Sequence, residues 1–418
     1  MRFRIQHLTA AFIISSSLLT SPGCSKIDNL PSSDESKTVS TTNSAENTEL
    51  SESESTVSST ALITESEELP AEPDLPLLES HLSFQGRHLY QNDTQWLVQS
   101  GSAAQFIITG TKAVLTIAGD SSINSYSDLR PRYAVYVDGE LIHDKVIASP
   151  EESIVLFEEN YARTAEVRVM LLSEAKYGAV GIKSIEATGG DEEQITPLVQ
   201  KDLAIEFIGD SITCGFGVDA NEGSQPFSTA TENFCKSYAY IAAQELDADY
   251  STVAYSGYGV ISGYSSGEKN EEETIPQYYD IASRYSGYDE EWNFSQRSMD
   301  AVFINLGTND TCYVSRDDEY TCDEFTEGYK ALLKAVREKN PDAVILCTVG
   351  LMGGEETIYP LIEKAVSEFG DDRVSCFLSP YQDIEANGAG ACWHPSEKTQ
   401  YDYGLFAAEQ IRNALANK

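Results

Sequence analysis

Histidine and positive charge are both scarce in this chain, and each shortage narrows what it can do. Five histidines occur in 418 residues: His7, His81, His88, His143 and His394. From about residue 195 to the end, His394 stands alone. Any chemistry in the C-terminal half that needs a base near neutral pH therefore has one imidazole to draw on. A capping histidine near a helix start is the other reading of that residue. Basic residues number 28 against 67 acidic ones, a formal net charge of -39. A field of that sign repels nucleic acid and anionic membrane surfaces and favours neutral partners such as uncharged carbohydrate. Cysteine is absent from 79 to 195, while seven of the eight lie between Cys214 and Cys392. Cys312 and Cys322 are close enough to close a small loop, an odd number leaves one thiol over, and the cysteine states stay open.

No apolar run is long enough to span a bilayer. The run from Leu8 to Leu19 follows Arg2 and Arg4 and ends in small residues before Cys24, so residues 1–24 read as a secretory leader. The SPGC closing it resembles a bacterial lipoprotein processing site, which would lipidate Cys24. Ser21 stands where an aliphatic residue is usual, so plain secretion stays open. Residues 25–78 are Ser, Thr and Glu with few large apolar groups and with prolines at 31, 70, 73 and 76. Such a segment buries too little surface to offset the entropy of ordering, and a disordered acidic stalk is expected. Export to the cell surface or medium follows, with membrane contact only through a lipid on Cys24.

Two folded regions remain, expected over 79–192 and 197–418. In the first, AQFIITGTKAVLTIAGD, RYAVYVDGELIHDKVI and AEVRVMLLSE alternate with period two. VDGE reads as a hairpin turn, and the whole as an antiparallel sandwich. Its aromatics, Trp96 among them, could form a sugar platform or simply core. In the second, short unalternating apolar runs (LAIEFIG, STVAYSG, AVFINLG, AVILCTVG, RVSCFLS) are separated by helical stretches. That pattern indicates a parallel sheet covered on both faces, with ligands beyond the carboxyl ends of its strands. Those ends are GDSIT, YSGYG and GTND. GYGVISG lacks the third glycine of a dinucleotide fingerprint and has no acid about twenty residues on, so nucleotide binding is rejected.

Ser211 follows a buried strand and precedes a turn with Gly215 and Gly217, a setting that suits a nucleophile and equally a capping serine. Asn309 offers an amide donor at the same sheet edge, fitting a place where negative oxygen develops. Gly257 or Gly259 could add a backbone N–H.

Taken in order, GDSIT, the glycine turn, GTND and WHPS resemble the blocks of the SGNH, or GDSL-type, hydrolases over about residues 200–418. With the sandwich and VDGE ahead, the chain resembles carbohydrate esterase family 2. The resemblance implies a jelly-roll domain followed by a flavodoxin-like α/β/α domain, and removal of acetyl groups from xylan or glucomannan. It further implies Ser211 as nucleophile and His394 as base, with Ser211, Gly257 and Asn309 forming the oxyanion hole. No metal or organic cofactor is required, and a monomer acting on an acetylated polysaccharide or oligosaccharide is expected.

One departure matters. SGNH enzymes usually place an aspartate three residues before the histidine, and many in this esterase family place one two before it. Here those positions hold Ala391 and Cys392. Expected instead is a Ser211–His394 dyad whose Nδ1–H meets a main-chain carbonyl within residues 390–392, with an acid arriving from elsewhere, such as Asp383 or Glu385, as the alternative. Neutral acceptors bind more weakly than charged ones, so the barrier should rise by about 1–3 kcal/mol. Trp393, Tyr258 and Trp292 are candidate sugar contacts, each with a buried structural role as its alternative. A lipase or thioesterase on the same scaffold and a carbohydrate-binding protein with an inactive site are the competing functions.

Overall fold

The computed structural model describes residues 79–189 and 195–417; the leader, Cys24 and the stalk lie outside the described residues. Nine antiparallel strands come first: β1 Ser83–Gln85, β2 His88–Gln91, β3 Thr94–Leu97, β4 Ala103–Gly119, β5 Arg132–Val137, β6 Glu140–Val146, β7 Glu151–Leu171, β8 Val180–Thr188 and β9 Ile195–Pro197. They pair in the order β2-β3-β8-β4-β7-β5-β6, and β1 and β9 also pair with β4. The two long strands carry the sandwich. The first half of β4 pairs with β1, β9 and the end of β7, and its second half pairs with β8 and the start of β7. Register shifts around Gly110–Val114 mark the change between layers, as bulges do at sheet corners. Alternate residues from both halves, Phe106 and Ile108 with Leu115 and Ile117, meet in one core.

The expected hairpin is present. Asp138 and Gly139 have φ of 52° and 80°, the conformation a two-residue turn needs to match strand twist, and they join β5 to β6. Just past the expected limit at 192, β9 adds to the edge of β4.

Five parallel strands follow: β10 Leu203–Gly209, β11 Ala248–Ala254, β12 Ala301–Asn305, β13 Val344–Thr348 and β14 Val374–Cys376, in the order β11-β10-β12-β13-β14. Helices α1 Ser211–Cys214, α2 Tyr238–Glu245, α3 Glu319–Lys339, α4 Tyr359–Phe369, α5 Ile384–Asn387 and α6 Glu397–Ala416 intervene or close the chain. Both sheet faces are buried, so the strands read as continuous apolar runs. Phe207, Phe303 and Leu346 pack with α2 and α6, while Ile208, Ile304 and Ile345 pack with α3 and α4. Strand order reverses at β10, where a crevice opens between diverging connections.

Polar contacts hold the sandwich against this sheet. Arg87, fully buried, pairs with Glu206 at 3.3 Å and donates to the carbonyls of Tyr279 and Ile281. Gln85 Nε2 donates to Asp249 Oδ1 at 2.7 Å. All seven described cysteines are free, Cys312 and Cys322 included.

Candidate active site

The switch point at the end of β10 carries Ser211. Asp210 caps the single turn of α1 by accepting the Ile212 N–H at 3.0 Å, and Gly215 ends it in the left-handed conformation. The turn is too short to carry Ser211 away from the sheet edge. Its Oγ lies 2.9 Å from His394 Nε2, across 183 residues of sequence.

His394 sits on a loop just ahead of α6, and its N–H returns to the Ala391 carbonyl. The same carbonyl lies 3.2 Å from Nδ1. One ring face packs on Phe216 with centroids 4.1 Å apart. Burial lowers the ring's pKa to about 4, with only main-chain acceptors opposing it. Asp383 caps α5 through the Ala386 N–H, so it is committed elsewhere.

That loop is seated mostly by main-chain bonds, with the Gln382 side-chain amide donating to the Trp393 carbonyl at 3.0 Å. The Ala391, Cys392 and Trp393 N–H groups donate to the carbonyls of Gly217, Gln225 and Gly223. Cys392 and Trp393 take the left-handed conformation, with φ of 51° and 63°. Gly217 is required here for space: a Cβ on it would lie 2.5 Å from Ala391 Cβ, and its own φ is +62°. Sequence reasoning noted Gly217 as a turn residue and missed this contact. The signal was the second glycine of CGFG, whose partner only the fold supplies.

Asn309 opens a 3-10 turn after β12 and is nearly buried. Its Nδ2 donates to the Tyr258 carbonyl at 2.8 Å and, over a longer 3.3 Å, to Asp210 Oδ2. Gly259 gives its N–H to the Glu273 carbonyl, leaving Gly257, with φ of 86°, as the glycine of this turn placed to offer one. Asp310, which sequence reasoning passed over, holds the turn: its carboxylate accepts the N–H groups of Val260, Ile261 and Ser262 at 2.8 to 3.0 Å. Burial raises Asp310 to about 6 and, together with the Asp310 charge, raises Asp210 to about 7.

Two expected sugar contacts are corrected. Tyr258 is wholly buried among Tyr255, Tyr278 and the cations Arg284 and Lys176, and contributes its carbonyl rather than its ring. Trp292 lies against His88 and Arg87, lining a cavity of about 380 Å³ that also takes in Ala204 and Glu206 of β10 but none of Ser211, Asn309 and His394. Its sequence neighbours gave no hint, because a loop returning to the sandwich looks like any aromatic loop. Trp393 is exposed; its ring rests on Gly223 and lines an open cavity of about 550 Å³ with Asn221, Glu222 and Ser224.

Among the described residues, one group has metal-ligand chemistry: Glu174, Cys214 and Glu232, all buried, with ligand atoms within 4.8 Å of one another. Burial pushes all three pKa values up.

Comparison with known proteins gives two family models, one on each domain. The carbohydrate esterase 2 N-terminal model matches residues 84–197, which includes β9, and the GDSL-like lipase/acylhydrolase family model matches 207–373. The cellulase/esterase CelE of Acetivibrio thermocellus is 30% identical over 327 residues, 76% of this chain; the chain spans only 37% of that relative. An acetylxylan esterase/glucomannan deacetylase of Cellvibrio japonicus is 24% identical over 66% of this chain and 74% of its own length. The structure of a family two carbohydrate esterase from Clostridium thermocellum in complex with cellohexaose superposes with a TM-score of 0.70 at 27% identity, covering 80% of this chain and 99% of that one. Its sandwich thus matches the carbohydrate esterase 2 N-terminal family and its α/β domain the GDSL-like lipase/acylhydrolase family, and the chain as a whole is similar to the family 2 carbohydrate esterases.

Proposed function

We propose that the protein is a serine esterase that removes O-acetyl groups from a cell-wall polysaccharide such as xylan or glucomannan. The observation that carries the reading is the 2.9 Å contact between Ser211 Oγ and His394 Nε2, with Nδ1 against the Ala391 carbonyl. A hydroxyl so placed has an acceptor for its proton and an imidazole fixed in the tautomer that can take it. His394 takes the proton as Ser211 attacks the acetyl carbonyl, and the oxyanion forms against the N–H groups of Ser211 and Gly257 and the Asn309 amide. Collapse expels the sugar alkoxide, which receives the proton from His394. A water, deprotonated by His394, then attacks the acetyl-enzyme and releases acetate and Ser211.

The relatives' names support a carbohydrate substrate over a long acyl chain, which would need an apolar groove. The leader sequence supports export, either with a lipid anchor at Cys24 or by plain secretion. Acetate release from acetylated xylan and glucomannan by the wild type and by Ser211→Ala tests the reading. Equal release by both, with polysaccharide binding retained, would make the protein a binding module instead. Faster turnover of a long-chain ester than of an acetate would make it a lipase.

A further inference from the structure

The turn after β11 is held from outside its own domain. Glu174 and Lys176 lie just beyond β7, in the short helical turn Ala175–Tyr177 and at its N-cap, and both reach across to Ser256. The Ser256 N–H donates to Glu174 Oε2 at 2.7 Å, and Lys176 Nζ donates to the Ser256 carbonyl at 3.0 Å. Ser256 is thereby gripped on both of its flanking peptide planes.

The second plane bears on the chemistry. The Ser256 carbonyl and the Gly257 N–H belong to one peptide group, and in a planar trans amide they point in opposite directions. An ammonium on the carbonyl fixes the direction of that N–H. It also draws electron density toward the oxygen, which makes the N–H a stronger donor, since hydrogen bonds in series polarise one another and a charged member strengthens them. The location fits. Gly209 and Ala254 are paired neighbours in the sheet, so Ser211 emerges two residues past the pair and Gly257 three residues past it.

Lys176 is held in place for this. Its Nζ lies 3.3 Å from Glu273 Oε1 and 5.3 Å from the centre of the Tyr258 ring. Glu174 is itself anchored, its own N–H donating to Glu232 Oε2 at 2.9 Å, and both carboxylates are fully buried. Burying two acids side by side costs stability unless geometry repays it. Here the Glu174 and Ser256 N–H groups, each donating to one of the two carboxylates, offset part of that cost.

We infer that Lys176, supplied by the sandwich domain, is a positioning residue for acyl transfer: its ammonium orients and polarises the Ser256–Gly257 peptide so that the Gly257 N–H meets the developing oxyanion. The inference rests on the esterase reading and extends it, since the sandwich then completes the active site rather than only flanking it.

The test compares full-length wild type, Lys176→Met, Lys176→Arg, Lys176→Gln and Ser211→Ala on 4-methylumbelliferyl acetate, with melting curves for each. Lys176→Met is expected to lower kcat about tenfold with KM little changed, less than the roughly 10²–10³ that loss of a whole oxyanion donor costs. Lys176→Arg, still a charged donor, should recover most of the rate. Lys176→Gln, a neutral donor, should fall between and gives the reading if the Met variant does not fold. Wild-type kcat in a folded Met or Gln variant would overturn the inference. So would a loss of rate that arginine fails to rescue and that a lower melting temperature accompanies, which would make Lys176 a structural prop. Wild-type turnover by Ser211→Ala would instead bring down the esterase reading itself. An inactive Ser211→Ala beside a fully active Lys176→Met would sink only the positioning role of Lys176.

Discussion

The sharpest prediction concerns the acid side of the pH–rate profile. His394 Nδ1 meets a carbonyl rather than a carboxylate, and burial lowers the ring's pKa from 6.5 to about 4. A shift of that size corresponds to about 3 kcal/mol against charging the ring, at roughly 1.4 kcal/mol per unit. His394 is only partly shielded from solvent, which returns part of that energy. The base works when neutral, so a lowered pKa extends activity into acid. At pH 5 about 90% of the enzyme would hold a neutral His394 with a pKa of about 4, against roughly 3% for an unperturbed imidazole. The cost falls on the transition state, where the ring must become imidazolium without a carboxylate beside it, which lowers the maximal rate. The assay is kcat/KM for 4-methylumbelliferyl acetate from pH 4 to pH 8 with Ser211→Ala as blank, because this ratio reports the free enzyme's ionisations. An acid limb centred at 6.5 or above would refute the argument, since it would require a negative group near Nδ1.

Asn309→Ala should lower kcat roughly 10²–10³-fold with a small change in KM, as loss of an oxyanion donor does, measured by steady-state kinetics on the same ester. Gly217→Ala puts a Cβ against Ala391 at a position with φ of +62°, so it should lower both the melting temperature and kcat by displacing the loop that carries His394. Its check is calorimetry alongside kinetics; a variant that loses stability and keeps full kcat would free the loop from Gly217. Thermal stability should fall from pH 5.5 to pH 8. Burial raises Asp210 to about 7 and Asp310 to about 6, and raises Glu174 and Glu232 as well, so the stability these acids contribute is full at low pH and lost as pH climbs through their folded values. His88 and His394, both lowered to about 4, act oppositely between 6.5 and 4, and melting curves across this range report the balance.

What the sequence determined by itself is what neighbours along a chain determine. Period-two alternation marked the long strands of the sandwich, Asp138 and Gly139 marked their hairpin, and unalternating runs marked the five parallel strands, because periodicity and turn chemistry are local. The scarcity of histidine pointed to His394, and the strand ends pointed to Ser211 and Asn309, because a parallel sheet delivers its strand ends to one edge. The missing acid at 391 and 392 was likewise legible, and it left the ring's partner as one of three nearby carbonyls or an acid from elsewhere. Only the tertiary structure chose Ala391 among them, since that depends on Gly217 seating the loop. It also buried Tyr258, carried Trp292 to the sandwich side, and brought Glu174 and Lys176 onto Ser256 from 82 and 80 residues away. Those outcomes turn on which surfaces meet when distant segments pack, and a side chain's type does not say which surface it will face.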